Sequence, residues 1–177
     1  MQGQHRLLER GQRVVDLGCW PGGWLQEAAR AVGPNGRVVG VDRVAIDPPL
    51  ENQNVFSFQG DLENPKIVEQ IRELMEIPCD VLLSDAAPKL TGIREADRAA
   101  EERLLEAVER LIPQLLRGGG SLLLKLLECP EAQAFQQRVR QVFGQVKIVK
   151  AKATRKGSSE RYLLARDYRA PSEVASD

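Results

Sequence analysis

Between residues 13 and 165, apolar runs of strand length alternate with amphipathic helical patterns, and this alternation constrains the fold more than any other feature of the chain. Strands apolar on both faces must be covered on both faces, which points to an α/β domain with a mostly parallel sheet between crossover helices. Seven runs qualify as strands: 13–17, 37–41, 55–58, 80–84, 121–127, 146–149 and 161–165. Helical periodicity fills the gaps near 23–33, 65–76, 95–116 and 130–143. The third helix sets Leu104, Leu105, Val108, Leu111, Ile112 and Leu115 on one stripe and stops before Gly118-Gly119-Gly120. The last two strands are joined by a loop too short for a crossover helix, so the final strand should run antiparallel. A chain of 177 residues with 42% hydrophobic content suits one domain, expected over 11–167, with 1–10 as a separate short segment and a polar, disordered tail over 168–177.

The first strand runs into a glycine turn. Val14-Val15-Asp16-Leu17-Gly18-Cys19-Trp20-Pro21-Gly22-Gly23-Trp24 reads as a buried strand, a tight turn and the opening of a helix that continues through Leu25, Ala28, Ala29 and Val32. Gly22 and Gly23 let the backbone pass close to a bound molecule, and a nucleoside cofactor is the leading occupant. The nicotinamide fingerprint needs a glycine two residues after Gly18, where Trp20 stands, so the spacing suits S-adenosylmethionine better. A plain strand-to-helix turn accounts for the same residues without a ligand. Asp42 closes the second strand 26 residues after Asp16, where a carboxylate can accept hydrogen bonds from ribose hydroxyls. Asp61 follows the third strand and is placed to accept from an adenine amino group; either acid serves equally well as a helix cap.

An antiparallel last strand begins at the sheet edge where the parallel strands end, which is the ligand-binding edge of open α/β sheets. Asp85 after the fourth strand, Lys125 late in the fifth and Glu160 before the last should therefore gather there. A lysine inside Leu122-Leu123-Leu124-Lys125-Leu126-Leu127 needs a polar partner.

Composition narrows the chemistry. His5 is the single histidine, at the start of the chain, so histidine acid–base catalysis and histidine metal sites are not expected. Cys19, Cys79 and Cys129 are far apart and lack a Cys-x-x-Cys pair, which suggests free thiols and neither a disulfide framework nor a metal site. The 25 basic and 25 acidic residues cancel, yet Lys147, Lys150, Lys152, Arg155, Lys156 and Arg161 form one basic segment, and Lys89, Arg94 and Arg98 another. Either could grip phosphates or serve as a solvated surface. The opening residues carry no apolar signal region, and no run reaches membrane-spanning length, so a cytoplasmic protein without membrane contact is expected, with a monomer as the default state.

Val14 to Gly18 with Pro21-Gly22-Gly23-Trp24, Ser84-Asp85-Ala86-Ala87-Pro88, Gly119-Gly120-Ser121 leading to Lys125, and Ser158-Ser159-Glu160-Arg161-Tyr162 together resemble the FtsJ/RrmJ family, in order and over about residues 11–166. The resemblance implies a Rossmann-like fold and S-adenosylmethionine-dependent methylation of a ribose 2′-hydroxyl of RNA, a uridine of 23S ribosomal RNA within the large subunit. It implies cofactor contacts at Gly22, Trp24, Asp42, Asp61 and Asp85, and catalytic roles for Asp85, Lys125 and Glu160 within a Lys-Asp-Lys-Glu set. The first lysine of that set would align before Met1, and residues 4–10 look like the remnant of the basic arm that carries it in relatives. An alternative is therefore a weakly active or non-catalytic RNA- or ribosome-binding protein that keeps the cofactor fold. Set against that family, Cys19-Trp20 stand in place of the usual small residues, and Lys89 where relatives tend to carry Asn.

Overall fold

The computed structural model describes residues 7–89, 91–150 and 161–171. Its elements run β1 (Arg13–Leu17), α1 (Gly23–Val32), β2 (Arg37–Asp42), β3 (Val55–Gln59), α2 (Ile67–Met75), β4 (Cys79–Ser84), α3 (Arg94–Leu115), β5 (Leu116–Leu126), α4 (Pro130–Val142), β6 (Phe143–Lys150) and β7 (Arg161–Tyr168). They build one seven-stranded sheet in the order β3-β2-β1-β4-β5-β7-β6. The pairs among β1 to β5 are parallel, while β7 pairs antiparallel with both β5 and β6.

Alternate residues of the central strands feed two cores. Val15, Leu17, Val39, Val41 and Leu82 point to the side covered by α2, α3 and α4, where Ile71, Leu111 and Phe135 are fully buried. Val14, Val38, Val81 and Leu123 point to the other side, against Leu25, Ala28 and Val32 of α1. The near-continuous apolar runs of the sequence thus become strands buried on both faces.

Three strand boundaries differ from the sequence reading by three residues or more: the starts of β5 and β6, the latter at Phe143 rather than Val146, and the end of β7. β5 starts at Leu116 rather than Ser121: Leu116 pairs with Cys79 and Ser121 with Val81, so the intervening residues form a bulge and not a separate turn. Gly119, at φ +75°, supplies the left-handed backbone there. β7 continues to Tyr168 because Phe143 of β6 pairs with it, and the two rings pack 5.1 Å apart. No helix among the described residues is long and apolar enough to cross a membrane.

Candidate active site

The strand order reverses between β1 and β4, and open α/β sheets bind ligands in the crevice at such a point. The backbones make intimate contact here: Asp85 N–H donates to Leu17 O at 3.2 Å. A Cβ added to Gly18, at φ +80°, would lie 2.5 Å from Ala86 Cα, so only glycine fits. Beyond this contact opens a cavity of about 680 Å³, walled by residues that follow β1, β2, β3 and β4 and by one side of α3. That volume suits a nucleoside-sized ligand.

Three of the expected cofactor acids, Asp42, Asp61 and Asp85, share this cavity. Asp42 ends β2, with Oδ2 accepting the Trp20 N–H at 3.0 Å and Oδ1 the Val44 N–H at 2.8 Å. These bonds fix the carboxylate's orientation and leave lone pairs for a hydroxyl donor. Asp61 Oδ1 accepts from Glu63 N–H at 2.9 Å and from Arg43 at 3.0 Å. Burial alone would raise its carboxyl, but the Glu63 N–H and the Arg43 guanidinium outweigh that and hold it below the usual carboxylate range. Arg43 is itself shared with Glu63 at 2.7 Å, so it is oriented from two sides.

Gly22 and Trp24 do not line the cavity. Gly22 caps α1 at φ +103° and backs onto Ile46 and Leu50. Trp24 stacks on Tyr162, ring centroids 5.7 Å apart, and the Tyr162 hydroxyl donates to Asp85 Oδ1 at 3.4 Å. Lys125 Nζ lies 3.3 Å from the same oxygen, with its side chain 23% exposed. The strand register explains the meeting, because Lys125 is paired directly with Tyr162 across β5 and β7. Lys125 and Asp85, 40 positions apart, thus form one amine–carboxylate pair at the sheet edge. Glu160, the third member of the expected set, lies outside the described residues.

Sequence reasoning assigned no role to three residues that the structure places near this pair. Tyr162 stood in the Ser158-to-Tyr162 motif and at the second position of the last strand, but was given no role. Glu101 of α3 is buried, and its Oε1 accepts the Leu127 N–H at 3.3 Å, fastening the chain just past Lys125. Asp16 is fully buried, and among the described residues neither of its carboxylate oxygens has a hydrogen-bond partner. Burial first, then the charges of Asp85 and Asp42, push its carboxyl from 3.8 up to about 7.

That shift has a testable sign. Between the unfolded value of 3.8 and the folded value of about 7, the fold retains a proton that the unfolded chain has lost. Stability from this group is therefore full below about pH 4 and declines as pH rises to about 7, on the order of 4 kcal/mol at 1.36 kcal/mol per unit. Denaturant unfolding of wild type and Asp16→Asn across this range should show the variant gaining on wild type as pH rises. Parallel curves would contradict the shift.

A strand-edge cavity with an acid after each of β2, β3 and β4, beside a lysine–aspartate pair, defines a Rossmann-like nucleotide-cofactor transferase. The chain belongs to the FtsJ-like methyltransferase family, whose model matches residues 1–168. It is 38% identical, over 93% of its length and 82% of the relative's, to the "Ribosomal RNA large subunit methyltransferase E" of Syntrophobacter fumaroxidans. It is 35% identical to the protein of the same name from Methanothermobacter thermautotrophicus, covering 96% of this chain and 80% of that one. Among solved structures, a Plasmodium falciparum protein described as a ribosomal RNA methyltransferase superposes with a TM-score of 0.81 at 22% identity, over 96% of this chain and 93% of that chain. Aeropyrum pernix fibrillarin, solved with S-adenosylmethionine bound, superposes at 0.64 and 20% identity, over 90% and 68%. These two likenesses establish the seven-stranded Rossmann-like methyltransferase fold.

Proposed function

We propose that this protein transfers the methyl group of S-adenosylmethionine to a ribose 2′-hydroxyl of large-subunit ribosomal RNA, at a uridine of 23S RNA. The observation that carries the reading is the Lys125–Asp85 pair, 3.3 Å apart, at the edge of the acid-lined cavity. The names of the relatives supply the substrate class.

The residues present fit the cofactor. Asp42 would accept from its ribose and Asp61 from its adenine amino group. Asp16 is within Coulombic reach of Asp42 and Asp85, and a cation bound near these acids would favour its ionised form. Gly22 shapes the turn, and Trp24 steadies Asp85 through Tyr162. When bound, S-adenosylmethionine supplies an electrophilic methyl on a positively charged sulfur.

Transfer to a hydroxyl is an in-line displacement, so the protein must align the oxygen and manage its proton. Lys125 does this in either protonation state. As a neutral amine it takes the hydroxyl proton; as an ammonium it stabilises the developing alkoxide. Asp85 orients the lysine from Oδ1, and the Tyr162 hydroxyl orients Asp85. Glu160, just before Arg161 of β7, is proposed as the remaining acid. All these groups come from one chain, so a monomer suffices.

The test is transfer of labelled methyl from S-adenosylmethionine to large ribosomal subunits, to free ribosomal RNA and to transfer RNA, followed by nucleoside analysis. The expected product is a 2′-O-methyluridine from the large-subunit RNA. Label on a base, or in transfer RNA alone, overturns the substrate assignment. Cofactor binding without transfer to any RNA would favour a non-catalytic ribosome-binding role.

A further inference from the structure

We propose that Trp20 and Lys89 form a nucleotide-binding subsite at the mouth of the cofactor cavity, where the indole stacks on a base of the RNA substrate and the ammonium meets its phosphate. The inference rests on the RNA-methylation reading and adds a substrate-holding site to it. Two observations converge. Trp20 is 56% exposed, although the large aromatics Phe135, Phe143, Tyr162 and Tyr168 are all buried. Lys89, also exposed, lines the same cavity from the loop after β4. The two loops start in contact, at Gly18 and Ala86, so residues 69 positions apart in sequence leave the sheet edge side by side.

The indole stands on a rigid base. Cys19 N–H donates to Val41 O at 3.2 Å, Trp20 N–H to Asp42 Oδ2 at 3.0 Å, and Gly22 N–H to Cys19 O at 2.7 Å. A turn held at three points loses little freedom when a planar ligand settles on it. Val44, 51% exposed, lines the same wall and extends the apolar lip. Exposed apolar surface beside a cavity marks a binding site when a rigid scaffold holds it there. An indole offers a face on which any nucleobase can stack, and single-stranded RNA is held by such stacking combined with cationic contacts to phosphate.

Charge sets the occupant. Asp42, Asp61 and Asp85 line the cavity with acceptors for hydroxyls and an amino group, and of its three cations Arg43 is shared between Asp61 and Glu63 and Arg103 pairs with Glu63. Lys89 is the exposed cation of this lining that makes no ion pair among the described residues, and so is the one available to a phosphate. The pair therefore belongs to how this chain holds RNA, separately from how it holds its cofactor.

The experiment titrates wild type, Trp20→Ala, Trp20→Phe and Lys89→Gln with single-stranded oligouridylate at several salt concentrations, with S-adenosylhomocysteine saturating. Cofactor-product affinity is measured separately by calorimetry. Trp20→Ala should weaken RNA binding about 10-fold, with Trp20→Phe retaining most of it. Lys89→Gln should flatten the log–log salt slope by about 0.7, one phosphate contact on a single strand. Calorimetric affinities and melting temperatures should stay at wild-type values. RNA affinity unchanged in both Trp20→Ala and Lys89→Gln overturns the proposal. So does lost cofactor affinity in Trp20→Ala with RNA binding intact, which would assign the indole to the adenine. If the variants show these binding changes but wild-type protein transfers no methyl, the subsite stands and the catalytic reading falls instead.

Discussion

Lys125→Ala is expected to reduce methyl transfer to ribosomal RNA by about 10³-fold while leaving S-adenosylmethionine affinity within a factor of two. The magnitude is that of a positioned acid–base or charge-stabilising group. The selectivity follows from placement: Lys125 lies outside the residues that wall the cavity and reaches the site through Asp85, at 3.3 Å. Lys125→Arg separates its two possible roles. A guanidinium keeps the charge but does not release its proton at neutral pH, so partial activity in the Arg variant assigns Lys125 to alkoxide stabilisation, and complete loss to proton removal. Single-turnover rates, with cofactor binding measured on the same preparations, check both. Full activity in Lys125→Ala would remove the lysine from the mechanism.

Gly18→Ala is expected to cost about 3–5 kcal/mol of stability, the sum of left-handed backbone strain and overpacking against a wall that cannot yield. The added Cβ would meet Ala86 at Cα, Cβ and N, all between 2.5 and 2.6 Å, and φ there is +80°. Relief requires parting the turn after β1 from the loop after β4, which also opens the cavity between them. For a domain of this size the melting temperature should fall by about 10 °C, with cofactor affinity lost in parallel. Gly23→Ala is the control: nothing lies within 4 Å of its added Cβ, and its φ is not in the left-handed region. A Gly18→Ala protein that melts like wild type would show that the two loops are not locked together.

The architecture was legible because strand and helix periodicities differ and the central strands are apolar on both faces; each strand and helix read from the pattern exists, with ends displaced at β5, β6 and β7. Those ends were set by pairing partners, Cys79 for Leu116 and Phe143 for Tyr168, which no local pattern reveals. The acids at strand ends were legible for the same reason, since topology alone brings Asp42, Asp61 and Asp85 to one edge. Asp16 was read only as part of the motif, because its lack of hydrogen-bond partners depends on what packs around it. Tyr162 and Arg43 escaped for a related reason. Their roles come from cross-strand register with Lys125 and from a guanidinium shared between Asp61 and Glu63. Gly22 and Trp24, expected at the ligand, are not among the residues lining this cavity: Gly22 backs onto Ile46 and Leu50, and Trp24 packs on Tyr162.

Cofactor binding at the strand-edge acids is tested most directly by calorimetric titration of the folded protein with S-adenosylmethionine and S-adenosylhomocysteine. The expected result is one site per chain, saturable by either, with Asp42→Ala weakening both at least 10-fold. No heat of binding from well-folded protein, or binding that Asp42→Ala leaves unchanged, would contradict it.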